Sequence, residues 1–203
     1  MKILIISTPR APTLNIGSNG LGRHVYDFIS KFVEKGCDIS VVSHPKSRFE
    51  WESIKKYGFY NEIQAIPNII NLINDQKFDV VIDNTHFKRL SQVYDGDCPI
   101  LNFVLDEECP YNPPNTLLGN ERQKEKYKTG LVYRTGIIFK NYPMYKTDER
   151  EDYFSFCGKL EKRKGYDIAL KAATLAQAKI IFAGPDNDRV SHLLPKWVGE
   201  IRD

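Results

Sequence analysis

Long apolar runs are missing from this chain. The one near its start, Ile3 to Ile6, is too short for the core of a signal peptide or for a membrane span, so the expected location is cytoplasmic. Cysteine is scarce. Cys37, Cys98, Cys109 and Cys157 share no C-x-x-C spacing and fall in different predicted elements, which argues against a zinc site or a disulfide framework and for free thiols in a reducing compartment. No metal requirement is expected. Neither sign of charge is in large excess: 29 basic and 26 acidic side chains net +3, which gives no reason to expect nucleic acid as a partner. Internal repeats and low-complexity tracts are absent as well, leaving an ordinary globular organisation.

What is present is 41% apolar residues in a chain of 203, enough for a core, arranged with two alternating periods. Lys2 to Ser7 is a β-branched run without polar alternation, ending in Thr8-Pro9, and reads as a buried parallel strand. From Gly22 onward Val25, Phe28, Ile29, Phe32 and Val33 recur at helical spacing, and Gly36 stands where a left-handed residue would end the helix. Ile39 to Ser43 is a second strand closing a βαβ unit. Residues 44–60 are aromatic and irregular and receive no assignment. Ile63, Ile66, Ile69, Ile70 and Ile73 mark a helix with Pro67 expected in its first turn. Phe78 to Ile82 and Ile100 to Leu105 read as buried strands, with a short helix, Phe87 to Tyr94, between them. Asn120-Glu121-Arg122-Gln123 has the spacing of a capping box, and Gly136 to Phe139 is expected to be the last strand of this domain.

Lys140 to Asp152 is polar, contains Pro143 and a run of acidic residues, and reads as a linker. The pattern then restarts with a buried strand at Tyr153 to Cys157, a helix at Tyr166 to Ala176, a strand at Lys179 to Ala183 and a third strand within Trp197 to Ile201. Strands alternating with helices throughout predict an α/β fold. Residues 1–140 form a Rossmann-like doubly wound parallel sheet, 141–152 a linker, and 153–203 the start of a second Rossmann-like domain.

In such sheets ligands gather beyond the carboxyl ends of the strands, and three chemically suggestive loops fall there. Gly158-Lys159-Leu160-Glu161-Lys162-Arg163-Lys164-Gly165 joins a strand to a helix. Backbone N–H groups and the helix dipole favour an anion at such a place, and Lys159 and Lys164 are placed to hold the two charges of a diphosphate; the competing reading is a solvated lysine-rich turn. The glycines of Gly17 to Gly22 read G-x-x-G-x-G, and the second strand ends in Ser43-His44 without the acidic residue that would hold a ribose, so a nicotinamide cofactor is not expected. A tight turn needing positive φ is the structural explanation of these glycines. His86 directly follows a strand and is open to either a hydrogen-bonded structural role or a ligand contact. The basic cluster Arg122 to Lys128, interrupted by Glu125, reads as a solvated helix face, with peripheral docking on an anionic membrane as the sharper alternative.

The eight-residue lysine loop resembles the G-[RK]-L-x-x-x-K-G signature of family 4 glycosyltransferases, retaining enzymes of GT-B fold. Three other segments resemble this family in the same order: the glycine loop and first helix from Gly17 to Asp27, the strand end Asp79-Val80-Val81-Ile82-Asp83-Asn84-Thr85-His86-Phe87, and Phe182-Ala183-Gly184-Pro185. The resemblance implies transfer of a sugar from a nucleotide-diphosphate donor to a hydroxyl of a sugar, glycan or lipid acceptor, with no cofactor beyond the donor substrate. It places His86 as the catalytic histidine near the reacting carbon and Gly20, Gly22, Lys159 and Lys164 at the donor, with Arg23 and His24 in the family's first helix. Two departures stand out: Asp83 where the family often has histidine, and Lys159 where many relatives have arginine, which keeps charge but loses the bidentate fork. The family's E-x7-E helix has no counterpart before Asp203, so the expectation is a truncated or split enzyme whose donor-side domain a second chain or a homo-oligomer completes. A non-catalytic remnant or partner-binding subunit is the alternative.

Overall fold

The computed structural model describes residues 1–14, 20–104, 113–128, 130–133, 152–184 and 186, and the backbone of 201–202. The chain divides into two compact units, Met1–Asn141 and Tyr142–Asp203.

The first unit is built on a parallel sheet of seven strands in the order β3-β2-β1-β4-β5-β6-β7. Its centre is β1 (Lys2–Ile6), flanked by β2 (Asp38–Ser43) and β4 (Val80–Asp83), with Ile3 opposite Ile39 on one side and Val80 on the other. Successive residues of β1 bury against different layers, which is why the strand shows no polar alternation. Ile3 and Ile5 pack with Val25 and Ile29 of α1 (Gly20–Glu34); Leu4 and Ile6 pack with Ile69 and Ile73 of α2 (Glu62–Gln76). Helices on both faces make the sheet doubly wound, as the sequence predicts. Gly36 ends α1 at φ +72°, its N–H donating to the Val33 carbonyl at 2.9 Å.

Several local expectations need correction. The unassigned stretch contains β3 (Lys55–Gly58), an edge strand parallel to β2, whose exposed lysines gave no apolar signal. Pro67 is the sixth residue of α2, inside the helix; Asn61 caps the start, its side chain accepting from the N–H groups of Ile63 (2.9 Å) and Gln64 (3.2 Å). The helix tolerates the proline because Ala65, Ile69 and Ile73 anchor it to the sheet. Only Leu90–Val93 of the short helix forms (α3), the preceding residues being held in a strand-end turn. After β5 (Ile100–Val104) comes an unpredicted three-residue strand, β6 (Thr116–Leu118), followed by α4 (Glu121–Tyr127) and β7 (Leu131–Val132). In the capping motif Asn120 accepts from the Gln123 N–H at 2.9 Å, while the Gln123 amide reaches back to the N–H of Gly119, one residue before the cap. The expected strand at 136–139 and most of the linker lie outside the described residues.

The second unit has three parallel strands in the order β10-β9-β8: β8 (Phe154–Cys157), β9 (Ile180–Ala183) and β10 (Ile201–Arg202). A single 3-10 turn (Lys162–Lys164) leads into α5 (Tyr166–Leu175). Leu160, Ala173, Ile180 and Phe182 form its core, joined by Phe156, Ala169 and Leu170. β8 was expected to be buried. It is instead largely exposed, with Phe154 at 59%, because β9 occupies the inner place and β8 stands at the sheet edge.

Candidate functional site

At the carboxyl edge of the first sheet, the loop leaving β1 is tied down by small hydroxyls. Ser7 and Thr13 share an Oγ–Oγ1 hydrogen bond of 2.8 Å, the Thr13 N–H donates to Ser47 Oγ at 2.9 Å, and Arg48 N–H donates to the Thr13 carbonyl at 3.1 Å. Residues 15–19, including Gly17, lie outside the described region. Gly20 opens α1 with ordinary helical backbone, and a Cβ built there meets nothing within 4 Å, so the fold does not require glycine at 20 while the space beside it stays open. Gly22 is buried.

His86 lies on the turn leaving β4, the neighbour of β1, and therefore on the same edge as Gly20 and Gly22. It is half-buried. The turn is locked from inside. Asp83, fully buried, accepts from the Thr85 N–H (2.8 Å) and hydroxyl (2.7 Å) through Oδ1, and the Lys88 ammonium lies 3.9 Å from that oxygen while donating to the Thr85 carbonyl. The Lys88 side chain is only 2% exposed and its backbone is left-handed at φ +50°. Asp83 Oδ2 has no hydrogen-bond partner among the described residues. Outside, Phe87 lies under the guanidinium of Arg10 at 5.1 Å and near that of Arg89 at 6.0 Å. Lys88 escaped the sequence reading; the signal that could have found it is a carboxylate ending a buried strand, which needs a compensating charge nearby.

Arg23 and His24, in the first turns of α1, both have partners within the first unit. Arg23 pairs with Asp27 at 3.2 Å. His24 packs among Phe28, Phe103 and Tyr133 at ring distances of 5.4, 5.7 and 6.3 Å, and burial holds its imidazole below the usual histidine range, with Asp27 opposing the shift.

In the second unit the lysine loop is shaped by three glycines. Gly158, at φ +154°, ends β8 with its N–H on the Ala183 carbonyl at 2.8 Å, and Gly184 sits so close that a Cβ there would be 2.3 Å from the Gly158 carbonyl oxygen. Gly165, at φ +79°, closes the 3-10 turn and stands at the head of α5, which has no side-chain cap; the first N–H groups of such a helix have no carbonyl partner within it. Leu160 is the buried anchor, and Lys159 and Lys164 flank the turn with exposed side chains. Glu161 draws on Arg163 at 2.7 Å and on Lys159 at 3.9 Å, whereas Lys164 makes no ion pair among the described residues. Lys164 therefore has the more available charge. Asp167 in the first turn of α5 supplies a negative charge of its own beside it. Among the described residues no cluster of three or more histidine, cysteine or acidic side chains could hold a metal ion, and no helix is long and apolar enough to cross a membrane.

The α/β fold, with its parallel sheet and flanking helices, has counterparts among solved glycosyltransferases. Among solved structures the chain resembles AviGT4, a glycosyltransferase involved in avilamycin A biosynthesis, with a TM-score of 0.70 at 15% identity over 98% of this chain. It spans 62% of the AviGT4 chain. MurG of Acinetobacter baumannii aligns over 99% of this chain and 67% of its own at 10% identity and a TM-score of 0.49. The sequence matches no family model and no curated protein.

Proposed function

We propose that this chain belongs to a retaining glycosyltransferase that moves a sugar from a nucleotide-diphosphate donor to a hydroxyl acceptor, with an acceptor-side first unit and donor-side residues in the second. The observation that carries the reading is the lysine loop. A helix start at Gly165 without a side-chain cap, flanked by Lys159 and by Lys164, which has no ion pair among the described residues, is an anion-receptive arrangement at the carboxyl end of a parallel strand, in a chain with a GT-B-like fold. Residues 1–140 and 153–203 serve as the two domains, joined by 141–152. Transfer needs no enzyme nucleophile and no metal: the leaving diphosphate takes part in deprotonating the attacking hydroxyl, and the protein stabilises the charge growing on that phosphate. His86 contacts the donor sugar near the reacting carbon, Gly20 leaves room for it beside the helix start, and Gly22 lets the backbone of that turn approach the donor.

The test is release of nucleoside diphosphate from a panel of nucleotide sugars by the full natural polypeptide carrying this sequence. His86→Ala should lower it by at least about 10²-fold while stability changes by no more than about 1 kcal/mol. A large stability loss with near-normal turnover per folded molecule would make His86 structural and remove the reading's catalytic residue.

A further inference from the structure

A groove of about 450 Å³ runs between the β3 edge and α2, away from the strand-end turn that carries His86. Its size falls in the range of ligand pockets. Buried Val42, Phe59, Ala65 and Ile69 make the floor. Along one wall Gln64, Asn68, Asn71 and Asp75 follow at spacings of four, three and four, which aligns them on a single face of α2 over a length of about 16 Å. The exposed face of an ordinary amphipathic helix carries lysines and glutamates. This row holds three primary amides and one carboxylate, and no lysine or arginine lines the groove.

The chemistry of that lining selects its ligand. Without a cation it does not compensate a phosphate or a carboxylate. Primary amides offer donors and acceptors together, the same pairing a hydroxyl presents, so they match a molecule dense in hydroxyls. Asn61 spends its carbonyl on the helix cap and keeps both N–H donors available. At the mouth Tyr60 is 73% exposed and makes a T-shaped ring contact with His44 at 5.4 Å; Tyr57 also lines the groove. A solvent-facing aromatic presents a flat apolar platform whose negative face suits the C–H face of a pyranose.

We infer that this groove is a binding site for a neutral carbohydrate two or three sugar units long. Tyr60 and Asn61 follow the carboxyl end of β3, so the mouth opens on the same sheet edge as His86, three strands and about 14 Å across. Under the proposed transferase the groove would hold the non-reacting part of a glycan acceptor; only that role, and not the ligand class, rests on the transferase reading.

The site is tested without turnover. In amide-resolved NMR of the 203-residue chain, maltotriose, cellotriose and chitotriose are titrated in turn, with glycerol at matched hydroxyl concentration as control. At least one trisaccharide should shift the side-chain amides of Gln64, Asn68 and Asn71. Tyr60→Ala and Asn68→Ala, both at exposed positions, should weaken that binding by about tenfold or more with an unchanged unfolding midpoint. No shift with any trisaccharide, equal shifts with glycerol, or undiminished binding by Tyr60→Ala would each overturn the inference. An extended peptide that perturbs β3 while the sugars do not would mark the edge as a strand-pairing surface instead. Because binding is read directly, failure of sugar transfer leaves these outcomes intact.

Discussion

His24 shows how a residue that matches a functional pattern can be claimed by packing. Its ring sits among three aromatic rings and its Nε2 is buried without a hydrogen-bond partner among the described residues, so the fold disfavours its charged form. Because burial lowers its pKa in the fold, the unfolded chain binds the proton first. Its contribution is therefore complete above the unfolded value of about 6.5 and is lost as pH falls through that value toward the folded one. Denaturation midpoints between neutral pH and pH 5 should fall in the wild type and fall less in His24→Phe; parallel profiles would mean the imidazole does not titrate in this way. The Asp83–Lys88 pair makes the opposite case, a charge the sequence reading passed over. Lys88→Met leaves a buried carboxylate uncompensated and should cost about 3–5 kcal/mol, much of it recovered when Asp83→Asn is added. A single-variant loss below about 1 kcal/mol in urea unfolding would show that the pair does not hold the turn.

Among the elements, those with a strong apolar period were legible and those without one were not. β1, α1 and β2 were readable because Ile3 to Ile6, Val25 to Val33 and Ile39 to Val42 each repeat a single burial pattern. β3 carries Lys55 and Lys56 on an edge and β6 has only three residues, so neither offers a period to detect. Pro67 misled in another way: the convention that proline belongs in a first turn lost to the anchoring of Ala65, Ile69 and Ile73. The proline still removes the N–H that would bond the Ile63 carbonyl. Pro67→Ala should restore it and stabilise the unit by roughly 1–2 kcal/mol, after the greater entropy of the unfolded chain is subtracted. Chemical denaturation decides this, and a destabilised variant would mean that the proline geometry is needed for α2 to seat on the sheet. The lysine loop was legible to the level of its glycines, since Gly158, Gly165 and Gly184 each occupy a conformation or a clearance that a side chain would disturb. What one-dimensional reading missed there is the distribution of charge: Glu161 takes up Lys159 and Arg163, while Lys164 has no ion pair among the described residues.

For the whole molecule, the alternation of strands and helices sufficed for the architecture, because a doubly wound sheet follows from a period that changes at every element. The site was legible only as a set of loops on strand ends. Their functional content depends on which polar groups are already satisfied, and partners such as Thr85 for Asp83, or Glu161 for Lys159, are fixed by the folded chain. The central claim is that the lysine loop receives the diphosphate of a sugar donor. Calorimetric titration of the protein with UDP, GDP, ADP and TDP, repeated with Lys159→Ala and Lys164→Ala, tests it most directly. At least one diphosphate should bind the wild type, Lys164→Ala should weaken that affinity by about tenfold or more, and Lys159→Ala should weaken it less. A wild type that binds none of the four, or a Lys164→Ala variant that binds as tightly as the wild type, would contradict the account.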